Sequence, residues 1–289
     1  MIYPGRIALM AMAAIALGLT VYKQIYFFAV TAITLLFLLN TASDAASFRL
    51  HGMTAQEMFS NSKAAALANA ACKGDASEIS HLVHSGADVN YRGKGGISPL
   101  IWAMSCHNYQ GMQTLLKDGA NPNQPMEYNQ TPVWLAAGGS DPKILPILLA
   151  HGGDPNAYCA ECGGTSALEN TIDYQRTANM KLLVQHGANV NFIGGLSIGV
   201  DAAGAGRFDY IIYLLHHGYD HDLQGLANFI LQKKGMFNPH WGGYSMWKWQ
   251  YPYWKEVLQI LAAKGYKAHK ISRKTLPMNP PPSPAAGSQ

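Results

Sequence analysis

Gly86-Ala87-Asp88-Val89-Asn90 is the stretch that decides the fold, because it returns four more times along the chain. The copies are Gly119-Ala120-Asn121-Pro122-Asn123, Gly152-Gly153-Asp154-Pro155-Asn156, Gly187-Ala188-Asn189-Val190-Asn191 and a worn Gly218-Tyr219-Asp220-His221-Asp222. Their leading glycines are 33, 33, 35 and 31 residues apart. A period of roughly 20 to 50 residues marks a stack of small units, each too thin to bury its own apolar face.

The sequence upstream of each copy repeats as well. A leucine-type residue lies 15 positions before the first of two apolar residues that end a helix: Leu67 to Leu82, Leu100 to Leu115, Val133 to Leu148, Leu168 to Leu183 and Gly199 to Leu214. Ser98-Pro99 and Thr131-Pro132 open their units clearly, and Thr165-Ser166 and Ser197-Ile198 are weaker versions. Ser or Thr caps a helix, and proline fits its first turn, where the missing N–H has no partner to lose. Ala70-Ala71, Ala136-Ala137 and Ala202-Ala203 allow close helix packing, and the closing glycine supplies a left-handed stop.

These motifs resemble the ankyrin-repeat family, over about residues 61–266. The resemblance implies an all-α solenoid of five to six helix-turn-helix units with short loop tips. It also implies binding of a protein partner on the concave face, and no enzymatic activity. Two copies depart from the pattern: Thr171-Ile172 replaces the alanine pair, and Gly199 replaces the leucine. Packing is expected to be loosest there.

The chain divides by composition. Residues 1–40 hold two apolar runs, Ile7 to Tyr22 and Ile25 to Leu39, broken by Lys23 and Gln24. They read as a membrane anchor of one or two transmembrane helices through residues 7–39. A cleaved secretory signal ending near Ser43 and Ala45 is the alternative, but the leader through Gln24 is too long and apolar for one. Arg6, Arg49, Lys63 and Lys73 outweigh Lys23, which favours a cytoplasmic repeat domain over a periplasmic or other extracytoplasmic one. Residues 41–60 form a linker, 61–222 five repeats, and 223–266 a divergent capping unit. That unit is split by an aromatic insertion at 235–253, with its helices read as Leu223 to Lys234 and Trp254 to Lys264, and a Pro-rich tail follows at 267–289. A net charge of +4 without a dense basic run gives no footprint for nucleic acid.

Chemical motifs are few. Cys159-Ala160-Glu161-Cys162 lies in the lengthened loop before the fourth repeat and could form a disulfide or a redox pair; it lacks the second pair that a zinc site needs. Cys72 and Cys106 fall at first-helix surface positions of neighbouring units. Gly195-Leu196-Ser197-Ile198-Gly199 matches the G-x-S-x-G pattern, but Ser197 falls on a helix-capping position and not at a strand-to-helix elbow. His216, His217, Asp220, His221 and Asp222 look like metal ligands, yet His217 repeats His151 and His186 before a helix-ending glycine, so no metal or cofactor is assigned. Arg92-Gly93-Lys94-Gly95-Gly96 lacks the residues of a phosphate loop.

The resemblance places partner-binding residues at the loop tips, Arg92, Lys94, Met126, Glu127, Tyr128, Tyr158 and Glu161, and on exposed sides of first helices at Trp102, Asn170, Asp173 and Tyr174. An inhibitor or immunity protein that neutralises a toxic enzyme at a membrane is a sharper version of the same reading.

Overall fold

The computed structural model describes residues 48–192, 197–234 and 248–268. The expected anchor, most of the insertion and nearly all of the tail lie outside the described residues. Among those described, no helix is long and apolar enough to cross a membrane. The chain forms two units, Met1–Thr54 and Ala55–Gln289. In the first, Leu50 and Met53 exchange two backbone hydrogen bonds of 3.0 Å across a tight turn.

The second unit begins with a short helix, α1 (Ala55–Met58), and continues as helix pairs. The pairs are α2 (Ser62–Lys73) with α3 (Ala76–His84), α4 (Pro99–Ser105) with α5 (Tyr109–Lys117), and α6 (Pro132–Gly138) with α7 (Ile144–Ala150). They continue with α8 (Ala167–Asp173) and α9 (Thr177–Gln185), α10 (Ile198–Gly204) and α11 (Phe208–His216), and α12 (Leu223–Gln232) and α13 (Tyr251–Ala263). Between α7 and α8 the chain makes a two-stranded antiparallel hairpin, β1 (Tyr158–Cys159) with β2 (Thr165–Ser166).

The caps explain why the helices start where they do. Ser98 Oγ accepts from Ile101 N at 3.3 Å, Thr131 Oγ1 from Trp134 N at 3.2 Å, and Ser166 with Glu169 forms a reciprocal capping box. Second helices stop at Gly86, Gly119, Gly152, Gly187, Gly218 and Gly265, all left-handed. The residue after each glycine donates back to the carbonyl of Leu82, Leu115, Leu148, Leu183, Leu214 or Leu261, at 2.8–3.0 Å. This closing bond satisfies a carbonyl that the helix end leaves open.

The last residue of the Gly-Ala-Asp-x-Asn motif joins one unit to the next. Asn90 Nδ2 donates to Gly119 O at 3.0 Å while its Oδ1 accepts from Asn121 N at 2.7 Å. Asn123 bridges to Gly152 and Asp154 in the same way, and Asn191 to Gly218 and Asp220. Inside the stack Leu67, Leu100, Val133, Leu168, Leu115, Leu148, Leu183 and Leu214 are all buried. Each leucine so placed contributes about 1.5–3 kcal/mol.

The two divergent copies are as closely packed as the rest. Tyr219, 1% exposed, fills the space where Gly199 lacks a side chain, and Thr171 and Ile172 are fully buried. The expectation of loose packing fails because Tyr219 compensates for Gly199, and because Thr171 satisfies its hydroxyl by donating to Leu168 O at 2.6 Å beside the buried Ile172. The second helix of the last pair begins at Tyr251, three residues before Trp254, because Pro252 is accepted in a first turn. Gln250 is fully buried and caps α11, accepting from Phe208 N at 2.9 Å and donating to Asp209 Oδ1 at 2.8 Å.

Candidate functional site: the loop tips

Three successive tips meet edge to edge. The tip at Lys94–Gly96 lies against Met126 and Glu127 so closely that a Cβ on Gly96 would come within 2.7 Å of Glu127 N. The next tip reaches the hairpin: Asn129 Nδ2 donates to Glu161 Oε1 at 3.1 Å, and the carbonyl of Tyr128 faces the sulfurs of Cys159 and Cys162. Tyr158 continues the row by packing its ring edge-on to Phe192 at 5.2 Å. Arg92, Lys94, Glu127, Tyr128, Tyr158 and Glu161 are exposed and Met126 is half-buried. The surface so formed mixes both charges with two tyrosines, of which Tyr128 is 60% exposed.

The backbone of the tips has a common form. Gly95-Gly96 and Gly163-Gly164 are left-handed pairs with φ between 64° and 82°, each three and two residues before a capping serine. The same two positions before Thr131 hold Tyr128 and Asn129, at φ 62° and 58°. The register falls on glycines again at Gly194-Gly195 in the sequence. A side chain in the left-handed region costs roughly 1–2 kcal/mol, more readily tolerated by asparagine than by a bulky ring. Tyr128 therefore occupies a position that glycine fills at Gly95, Gly163 and Gly194.

Two pairs of cysteines are bonded, Cys159 to Cys162 within the hairpin and Cys72 to Cys106 between the first and second helix pairs, with Cα–Cα separations of 5.2 and 5.7 Å. No free cysteine remains. Ser197 accepts from the Tyr219 hydroxyl at 3.1 Å, and burial pushes that phenol's pKa up. His151 and His217 hydrogen-bond through Nδ1 to the carbonyls four residues back, Ile147 O at 2.8 Å and Tyr213 O at 2.7 Å. Asp222 caps α12 through Gly225 N at 3.0 Å. Among the described residues no three His, Cys, Asp or Glu are placed to share a metal ion.

Residues 95–126, which contain α4 and α5, match the family model for the ankyrin repeat. The chain carries an ankyrin repeat. It is 28% identical over 114 residues to the human SH3 and multiple ankyrin repeat domains protein 2, covering 39% of this chain and 6% of that one. It is 30% identical over 109 residues to dog inversin, 38% of this chain and 10% of that one. Against bovine mitochondrial disaggregase the identity is 32% over 132 residues, 45% of this chain and 19% of the other. The chain thus spans less than a fifth of the length of these relatives. The first of these relatives is named for its multiple ankyrin repeats, in keeping with the repeat matched at residues 95–126.

Two expected contact residues, one inside the matched repeat and one beyond it, are buried. Trp102 is fully buried on α4, edge-on to Phe59 at 5.7 Å, because Phe59 and the α2 helix pack against that helix. In the third and fourth units Gly138 leaves room for Asn170, which is 4% exposed and donates Nδ2 to Trp134 O at 2.9 Å. Both side chains pack between neighbouring helix pairs. Asp173 is exposed and Tyr174 half-buried.

Two side-chain networks were not anticipated. Asp141 accepts from Tyr109 Oη and meets His107 Nδ1, both at 2.7 Å, tying the helix turns of adjacent units. Burial raises its pKa, but hydrogen bonds from Lys143 N, His107 and Tyr109 outweigh this and hold it below the ordinary carboxyl value. Arg207 forks onto Asp209 at 2.9 and 2.7 Å and lies 3.6 Å over the Tyr210 ring.

Proposed function

We propose that the chain is a membrane-anchored protein-protein interaction module whose contact surface is the row of tips at Lys94, Glu127, Tyr128, Glu161 and Tyr158. The observation that carries this reading is Tyr128, a bulky aromatic held left-handed and 60% exposed where the in-register positions are glycine. Strained backbone at an exposed side chain persists where display of that side chain matters. Tyrosine is among the residues that carry most of the energy in protein interfaces.

The anchor reading is supported by the two apolar runs in residues 7–39. Pairing of all four cysteines supports an oxidising, extracytoplasmic compartment for the repeats, the side opposite to the one favoured by the basic residues around those runs.

A photo-crosslinking residue placed at Tyr128 in the full chain, in its native cells, should capture one protein. The same probe at His186, exposed at the C-terminal end of α9 and outside the row of tips, should capture none. Equal capture at both positions, or capture at His186 alone, would remove the tips as the contact surface.

A further inference from the structure

The net charge of +4 conceals a strong division along the chain. Residues 223–289 hold nine Lys and Arg against one acidic residue, Glu256, a balance of +8, while residues 1–222 hold twelve against sixteen, a balance of −4. The described part of this basic region is also where exposed aromatic rings concentrate. Trp249 is 53% exposed and Tyr251 and Tyr253 are each 38% exposed, with Lys248 and Lys255 exposed between and beside them. Helix α13 buries Trp254, Val257 and Leu261 against the stack and turns its first-turn tyrosines outward.

We infer that the first turn of α13 and the residues just before it form a docking surface for an anionic lipid bilayer. Tryptophan and tyrosine settle at the headgroup level, where an apolar ring and a polar edge are both satisfied. Lysines beside them are drawn to the negative surface potential. Nucleic acid would also attract this charge, but base stacking needs open ring faces. Here the rings already have neighbours: Tyr251 stacks on Trp254 at 5.7 Å and 12°, with Lys255 Nζ 4.3 Å from its centroid. Trp249 has the Arg207 guanidinium 5.7 Å over its ring and Tyr253 against it at 6.4 Å and 80°. Rings so engaged suit a headgroup layer, which needs no open face, better than a stacked base.

This surface is separate from residues 7–39, and the test keeps the two apart. The full chain is mixed with vesicles of phosphatidylcholine alone, or with about one-third phosphatidylserine, each containing lipid brominated near the headgroup. The Trp249 signal is isolated as the fluorescence difference between the wild type and Trp249→Phe. Quenching is expected with anionic vesicles and not with neutral ones, and should reverse at about 0.5 M salt. The Lys248→Gln/Lys255→Gln variant, with an unchanged melting temperature, should need roughly 10-fold more anionic lipid for the same quenching. Association of the chain with neutral vesicles without Trp249 quenching reports the anchor alone and, if the anionic vesicles also leave Trp249 unquenched, overturns the docking surface. Equal quenching on both vesicle types overturns it too, as does tighter binding to a single-stranded oligonucleotide than to anionic vesicles.

Discussion

Tyr219 occupies the space that Gly199 leaves open: a Cβ on Gly199 would lie 2.6 Å from the Tyr219 hydroxyl and 2.7 Å from its ring. In the other units a leucine or valine stands at the first position and an alanine or glycine at the second. The fifth unit exchanges large for small and small for large, and the volume is kept. Tyr219→Ala is therefore expected to destabilise by about 3–5 kcal/mol, the cost of an unfilled aromatic site. Gly199→Leu alone should also destabilise, by overpacking. The double variant should recover part of the loss, with a coupling on the order of 1–3 kcal/mol in urea denaturation.

The two disulfides should differ in what they contribute. Cys72 and Cys106 are 34 residues apart and join neighbouring helix pairs, so replacing both by serine should cost about 3–4 kcal/mol on the loop-entropy estimate. Cys159 and Cys162 are three residues apart, close a short loop, and should contribute much less when replaced. Thiol-reactive mass labelling of cell extracts, with and without prior reduction, checks the pairing itself. Labelling of all four thiols before reduction would place the repeats in a reducing compartment and contradict the extracytoplasmic proposal.

Asp209 and Glu169 should give stability opposite pH dependences. Burial raises the Asp209 pKa, but its bonds to Arg207 and Gln250 outweigh that and hold it below the ordinary value. Its contribution is present above the unfolded carboxyl pKa of about 3.9 and is lost as pH falls through the folded value. Glu169 is raised by burial. Its contribution is present below about 4.3 and is lost as pH rises through the folded pKa. Urea midpoints across about pH 3–7 should show Asp209→Asn weaker at neutral pH with a shallower acid decline. Glu169→Gln, which keeps an acceptor for Ser166 N, should remove a loss on the rising side.

Trp102 separates the stack from the surface. Its complete burial against Phe59 predicts that Trp102→Ala costs about 3–5 kcal/mol, whereas a loop-tip change such as Glu161→Gln should stay within about 0.5 kcal/mol. Thermal melts of the two variants decide this. A Trp102→Ala protein that melts like the wild type would mean the residue is accessible after all.

The helix pairs were legible because the signals are local and periodic: a capping Ser or Thr, a glycine stop, and the Asn that bridges to the next unit. The direction of Trp102 and Asn170 was not, since it depends on what the neighbouring units leave uncovered, Phe59 in one case and Gly138 in the other. The Cys72–Cys106 pairing was hidden for the same reason, as two positions 34 residues apart become neighbours only when the units stack. The left-handed pair at the tips did leave a trace. Gly-Gly recurs at 95–96, 163–164 and 194–195, and the Tyr128-Asn129 exception stands out once the copies are aligned on their caps.

Replacement of Tyr128 by glycine tests the central claim most directly, because it separates folding from binding in a single variant. The left-handed backbone at φ 62° suits glycine, so Tyr128→Gly should melt at or above the wild-type temperature. Affinity for the protein captured at that position, measured by calorimetry on the full chain, should fall by about 2 kcal/mol, roughly 30-fold. Unchanged affinity at unchanged stability would contradict the account, since the chain would then hold a strained tyrosine at its most exposed tip for no contact.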